Sequence, residues 1–221
     1  MANILVTGAN RGIGLELCRQ FSLRGDKVIA ACRSSSKELE NLDVKLEQDI
    51  EMLNIKSFDR LATSLKGLKI DILVNNAGML ASDNIHSLDI EQLKMQFEVN
   101  ALGPLVFTTR FLQNLQKGSK IILITSRMGS IEDNSSGSYY GYRMSKAGLC
   151  MVGKSLSIDL KPAGISVALV HPGLVSTRMT NFSKNGITPE ESVKGIIQRI
   201  DSLTIANTGK FWHADGSELP W

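Results

Sequence analysis

Short apolar runs rich in β-branched residues alternate along the chain with longer segments whose apolar positions recur at helical spacing. Asn3–Thr7 is such a run and ends in glycine. Gly12–Arg24 follows, with Ile13, Leu17 and Phe21 on one helix face. Further strands are predicted at Lys27–Cys32, Val44–Gln48, Ile70–Asn75, Ile121–Thr125, Ser166–Val170 and, briefly, Lys210–His213. Helices are predicted at Ile55–Leu65, at Ile90–Gln116 with a bend near Gly103-Pro104, at Tyr140–Lys161 and at Pro189–Leu203. Pro189 suits a first helical turn, with Thr188 as its cap. A serine-rich turn at Ser34–Ser36 and a polar loop at Glu132–Ser138 complete the pattern. Ile29–Ala31, Ile72–Val74 and Ile121–Ile124 are apolar at successive positions, as a sheet covered on both faces requires. Strands alternating with helices imply parallel pairing with right-handed crossovers. The expected fold class is α/β: a single-domain, doubly wound parallel sheet spanning residues 1–221, with helices on both faces.

The composition narrows the function classes. With 43% hydrophobic and 21% charged residues in 221, the chain is neither disordered nor dependent on disulfides or metals to fold. A net charge of +3 gives no basic stripe for a nucleic-acid backbone. Cys18, Cys32 and Cys150 form no CxxC pair and read as small core residues in a reducing compartment, hence a cytoplasmic expectation. The chain opens directly into the first strand, so no signal peptide is expected, and no run of ~18 apolar residues spans a membrane. His86, His171 and His213 lack metal-ligand spacing and read as structural or surface residues.

Thr7-Gly8-Ala9-Asn10-Arg11-Gly12-Ile13-Gly14 lies between the first strand and the first helix. Glycines there allow a tight turn and close approach of a pyrophosphate, which faces the free amides and positive dipole end of the helix. The spacing is GxxxGxG, not GxGxxG. An acid about 20 residues on would hold the ribose hydroxyls of NAD. The chain has Cys32-Arg33 there, and its next acid is Glu38. Arg33 and Arg11 would instead meet a 2′-phosphate, with Ser34 and Ser35 adding hydroxyls. NADP(H) is therefore expected ahead of NAD(H).

The ordered set Thr7-Gly8 to Gly12-Ile13-Gly14, Asp49, Asn75-Asn76-Ala77-Gly78, Asn100, Ser126, Tyr142-Arg143-Met144-Ser145-Lys146, and Pro172-Gly173 with Thr177 resembles the short-chain dehydrogenase/reductase family. The resemblance covers nearly the whole chain. Thr125–Ser130 and the ending Asp215-Gly216…Leu219-Pro220-Trp221 are most similar to its short carbonyl-reductase-like branch, which includes the bacterial developmental C-factor proteins. The resemblance implies a Rossmann-type fold and NADP-linked reduction of a carbonyl or oxidation of an alcohol. It implies catalytic roles for Asn100, Ser126, Tyr142 and Lys146. It also implies cofactor contacts from Gly8, Asn10, Arg11, Gly12, Ile13, Gly14, Arg33, Asp49, Asn76, Ala77, Gly78, Tyr142, Lys146, Pro172, Gly173, Val175 and Thr177. Asp49 resembles an adenine contact, Asn76 and Gly78 contacts to the adenosine ribose, and Thr177 a contact to the nicotinamide carboxamide.

The residues support the chemistry on their own terms. A phenol of pKa ~10 is a poor proton donor near neutrality unless its phenolate is stabilised. Of the three tyrosines, at 139, 140 and 142, only Tyr142 has a lysine at i+4, and Lys146 is expected to favour its phenolate. Ser126 ends a strand at the edge where such sheets bind ligands. Its distance from Tyr142 is longer than the family's habit, which points to a small insertion in Glu132–Ser138 and keeps Ser130 as a second candidate. Met128 and Met179 flank the site, and the short Met179–Thr188 segment shows no charged cluster selecting a phosphate or carboxylate. Two other readings compete. One is an NADP-binding signalling or regulatory protein with little turnover, for which these four polar residues would be unnecessary. The other is an extended sugar-nucleotide epimerase or dehydratase, which would need ~100 more residues for its substrate domain. Broad apolar surfaces predict a two-fold homodimer through the two long helices. They comprise Leu149, Met151, Val152, Leu156, Ile158 and Leu160 on one, and Leu102, Val106, Phe107, Phe111 and Leu112 on the other.

Overall fold

A computed structural model describes residues 1–221. The strands are β1 (Asn3–Thr7), β2 (Lys27–Ala31), β3 (Lys45–Glu47), β4 (Ile72–Asn75), β5 (Lys120–Ile124), β6 (Ser166–His171) and β7 (Phe211–His213). They form one parallel sheet in the order β3-β2-β1-β4-β5-β6-β7. The helices are α1 (Gly12–Leu23), α2 (Lys37–Glu40), α3 (Ile55–Ser64), α4 (Ile90–Phe97), α5 (Gly103–Arg110), α6 (Tyr140–Asp159) and α7 (Pro189–Ser202). Each predicted strand is present, shifted by at most two residues at an end. The α/β fold is the expected single-domain doubly wound sheet.

Successive strand residues serve opposite faces, as their uninterrupted apolar runs require. Ile4, Val6, Ile122 and Ile124 pack with Leu17 and Phe21 of α1 and Val193, Ile196 and Ile200 of α7. Leu5, Leu73, Ile121 and Leu123 pack on the other face with Phe58 of α3, Phe107 of α5 and Leu149 of α6. Cys18, Cys32 and Cys150 are buried free thiols. The strand order reverses between β1 and β4, and the crevice outside their carboxyl ends is where such sheets bind ligands. α7 begins as predicted: Pro189 sits in its first turn and Thr188 closes a capping box with Glu191. No helix is long and apolar enough to cross a membrane.

Three differences matter. The four-residue α2 lies in the predicted serine turn region, capped by Ser36. The helix Ile90–Gln116 is broken more deeply than the expected bend. Glu98–Leu102 is a π-helical turn that runs directly into α5, and Pro104, just after it, supplies no N–H to the carbonyls of the widened turn. Finally, the broad apolar surface expected for association is partly internal. Leu149, Leu156, Phe107 and Phe111 are buried in the core, while Leu102, Leu112, Met151 and Ile158 remain at the surface.

Candidate active site

The glycine turn is held by the segment that follows β4. Asn76 donates from Nδ2 to the carbonyls of Thr7 (3.0 Å) and Gly8 (3.2 Å). The Thr7 hydroxyl accepts from the amides of Asn76 (3.0 Å) and Ala77 (3.1 Å). Asn76 thus acts here as a tie between β1 and β4, a role that sequence reasoning missed. Gly8 has φ +65°, and a Cβ there would lie 2.8 Å from the Ala77 Cα. Across the turn, a Cβ on Gly12 would touch the Thr177 methyl at 3.4 Å, so the loop after β6 leans over the glycines. Helices α2, α4 and α7 are capped by Ser36, Asp89 and Thr188, whereas Arg11 precedes α1 and its side chain caps nothing. A glycine-lined, uncapped helix start fits a dinucleotide pyrophosphate.

The surrounding residues divide. Arg33 is exposed, with only a 3.8 Å approach to Glu51, and Arg11 is exposed at the start of α1. Asn10 donates to the Ser34 carbonyl at 2.9 Å, joining the glycine turn to the end of β2. The Ser35 hydroxyl, expected to face a phosphate, is instead bonded to Glu40, and Ser36 caps α2. Asp49 follows β3 with φ +58°, its amide donating to the Arg33 carbonyl at 3.1 Å. Beyond β6, the Pro172 carbonyl accepts from Ser192 (2.6 Å), Gly173 has φ +86°, and buried Val175 bridges Ile187. Thr177 is fixed by its amide donating to the Thr180 hydroxyl at 3.1 Å.

At the other wall, Ser126, Tyr142, Lys146 and Asn100 are all buried near the carboxyl end of β5. Lys146 Nζ donates to the Ile124 carbonyl at 3.0 Å and lies 5.7 Å from the Tyr142 ring centroid. Asn100 sits within the π turn. Its Oδ1 accepts from the Met79 amide (2.8 Å), and its Nδ2 donates to the Met79 carbonyl (2.8 Å) and the Ser145 hydroxyl (2.9 Å). Ser145 in turn donates to the Tyr142 carbonyl at 2.7 Å. A Cβ on Gly78 would lie 3.1 Å from Asn100 Oδ1 and 3.7 Å from Lys146 Nζ, so Gly78 packs on this group and not only on the nucleotide side.

The electrostatics differ from the expectation. Burial pushes the Tyr142 phenol up to about 12, opposed by a hydrogen bond from Ser126. Burial likewise lowers the Lys146 ammonium to about 8. The expected lowering of the phenol by Lys146 is not met: desolvation dominates, and the ammonium is turned onto a backbone carbonyl. Ser130, the second candidate, uses its Oγ to accept from the Asp133 amide at 3.1 Å. Ser126 is thus the serine beside Tyr142. The start of α6 is fixed by a residue without sequence signal: Asp83 accepts from the amides of Tyr140 (2.5 Å) and Gly141 (3.1 Å). His171 is buried at the end of β6 and packs edge-on against His213 at 5.0 Å. Burial, then the neighbouring His213, lower its imidazole to about 3.

The family model described as short chain dehydrogenase matches residues 2–187. The chain belongs to the short chain dehydrogenase family. This short-chain dehydrogenase is 39% identical to the 1-hydroxy-2-glutathionyl-2-methyl-3-butene dehydrogenase of Rhodococcus sp. (strain AD45), over the full length of both proteins. It is also 39% identical to the C-signal protein of Myxococcus xanthus, over 72% of this chain and 98% of that protein. Among solved structures, the NADPH-bound carbonyl reductase from chicken fatty liver superposes with a TM-score of 0.91 at 28% identity, covering 100% of this chain and 99% of that one. Carbonyl reductase Sniffer of D. melanogaster gives 0.92 at 30% identity, covering both chains fully. The dehydrogenase family and the carbonyl-reductase and C-signal neighbours agree with the resemblance read from the motifs.

Proposed function

We propose that this chain is an NADP(H)-dependent oxidoreductase that transfers a hydride between the nicotinamide and a carbonyl or alcohol. The observation that carries the reading is the placement of Ser126, Tyr142, Lys146 and Asn100 along one wall of the crevice whose other wall is the uncapped glycine turn. The dinucleotide would supply or accept the hydride. Its pyrophosphate would rest on Gly8, Asn10, Gly12, Ile13 and Gly14, with Arg11 and Arg33 on the 2′-phosphate and Asp49 at the adenine. Ala77 and Gly78 would border its ribose, and Pro172, Gly173, Val175 and Thr177 its nicotinamide end. The NADPH in the chicken relative supports the phosphorylated cofactor over NAD(H).

In reduction, Ser126 would hold the substrate oxygen while Tyr142 gives its phenolic proton to it. A phenol near 12 keeps that proton until a charge develops on the oxygen, which fits a donor acting only as the bond changes. Lys146, released from the Ile124 carbonyl, would hold the ribose and counter the phenolate left behind. Asn100, fixed by Met79 and Ser145, would position a path for the replacement proton.

A panel of aldehydes and ketones with NADPH, followed by loss of the reduced cofactor's absorbance, tests the reading. Turnover of none of them overturns it. The 1-hydroxy-2-glutathionyl compound that names the Rhodococcus relative is an alcohol and belongs on the panel in the oxidative direction. The C-signal relative favours the signalling alternative; buried polar groups that pure binding would not need favour turnover. Buried free thiols support a cytoplasmic setting. We also infer a homodimer, resting now on the smaller exposed set Leu102, Leu112, Met151 and Ile158. A mass of 24.1 kDa by light scattering at every concentration would refute it.

A further inference from the structure

The segment between Ser126 and Tyr142 borders an open surface cavity of about 230 Å³ lined by Arg127, Met128, Asp133, Ser135, Ser136 and Arg143. Arg127 directly follows Ser126, and Arg143 directly follows Tyr142. The cavity is thus lined by the chain neighbours of the two residues that would hold the reacting oxygen, and by Met128, whose amide donates to Ser126 Oγ at 3.1 Å. It carries two guanidiniums and one carboxylate, so its charge does not cancel.

Both arginines are anchored by one edge and open at the other. Arg127 Nε donates to Asp133 Oδ2 at 2.7 Å, and its two Nη groups bond to nothing in the chain. Arg143 Nε donates to the carbonyls of Gly137 (3.2 Å) and Ser138 (3.1 Å), its Nη2 to Ser136 Oγ (2.9 Å), and its Nη1 to nothing in the chain. A guanidinium already held by its stem loses little freedom on meeting a planar anion. The loop is also tied down from outside: the Glu132 amide donates to the main-chain oxygen of Trp221 at 2.9 Å.

We infer that this cavity is a subsite for a carboxylate on the substrate, held by Arg127 and Arg143 while the carbonyl or alcohol lies at Ser126 and Tyr142. The inference rests on the oxidoreductase reading above and names its substrate class: carboxylate-bearing carbonyls or alcohols. A single net positive charge matches a monoanion, whereas a dianionic phosphate would face the Asp133 carboxylate.

Calorimetric titration of the whole chain with octanoate, methyl octanoate and octyl phosphate tests the subsite without turnover. Octanoate should bind about tenfold more tightly than its ester, the size of one charge-assisted contact. In Arg127→Met and Arg143→Met that ratio should fall towards one. Because Arg143 also holds the loop, Asp133→Asn serves as the second variant. It frees Arg127 and should tighten octanoate by about threefold. Equal binding of acid and ester by the wild type overturns the subsite, as does octyl phosphate binding more tightly than octanoate. No gain in Asp133→Asn together with no loss in the arginine variants overturns it too. With NADPH, ω-oxo acids should show lower KM than their methyl esters, an advantage that Arg143→Met removes. If no carbonyl is reduced at all, the oxidoreductase reading fails, while the titrations still decide the subsite.

Discussion

At the β1–α1 turn and the end of β2 the chain offers its ligand mostly backbone, and the charges there, Arg11 and Arg33, stand in solvent. Across the crevice, at the end of β5 and the start of α6, it offers side chains, and Tyr142 and Lys146 among them are buried. The first wall is shaped by contacts too close for a Cβ and by amide donors tied to the Thr7 carbonyl and hydroxyl. The second is shaped by desolvation, which shifts Tyr142 and Lys146 in opposite directions. A wall of the first kind should be sensitive to added volume and tolerant of lost charge. One of the second kind should be sensitive to the loss of single atoms.

The sharpest way to break that contrast is Tyr142→Phe, which removes one oxygen. Turnover should fall about 1,000-fold, within the usual span for a general acid, while Tyr139→Phe and Tyr140→Phe stay near wild type. Steady-state rates on any accepted carbonyl check this. Next comes volume at the other wall. A Cβ on Gly14 would collide with the Gly8 carbonyl and lie 2.5 Å from Asn76 Nδ2. Gly14→Ala should cost about 3 kcal/mol in urea denaturation. Wild-type stability in that variant would show that the turn is not rigid.

The third test uses pH. Folded Lys146 loses its proton near 8, the unfolded lysine near 10.5. Between those values the unfolded chain binds more protons, so stability rises with pH. Below about 8 the native state carries the full cost of a buried cation. Lys146→Met should therefore gain on the wild type at pH 7, and that advantage should shrink by about 2 kcal/mol at pH 10. An advantage that does not change with pH would place the ammonium in water. The smallest effect belongs to exposed charge: Arg33→Ala should lower the preference for NADPH over NADH about tenfold, read by fluorescence titration of both cofactors. No change would remove Arg33 from the recognition of the 2′-phosphate.

The two walls were also unequally legible in the sequence. Backbone demands appear as glycine, so Gly8, Gly12 and Gly14 marked the turn before any fold was known. Tyr142 could be singled out because only it has a lysine one helical turn on. What burial does to that pair could not be read from spacing, since charge separation is local and desolvation comes from the whole fold. Asp83 sits 57 residues before the helix start it caps, and nothing near it signals that task. Asn76 carries a tie to a strand far away in sequence. The apolar stripe on α6 reads as surplus because the sequence does not say how many elements surround a helix. Gly148 lies against Phe97 of α4, and Gly153 against Leu123 and Leu169 of the sheet. The helix is therefore covered on more sides than one stripe implies.

The π turn at Glu98–Leu102 bears on how this chain can change by inheritance. A widened turn holds one residue more than an α-helical turn, and Asn100 reaches Met79 and Ser145 from inside it. Loss of any one of the other codons in that stretch would let the helix close to its ordinary pitch. The flanking helices would keep about their present orientation, because the residue lost is the one the wide turn held in excess, and the change would fall on the side chains inside the turn. Asn100 would still be encoded and would no longer be aimed. Descendants of this gene can thus trade many residues around the turn, but the number of residues in it is as much a part of the site as the asparagine itself.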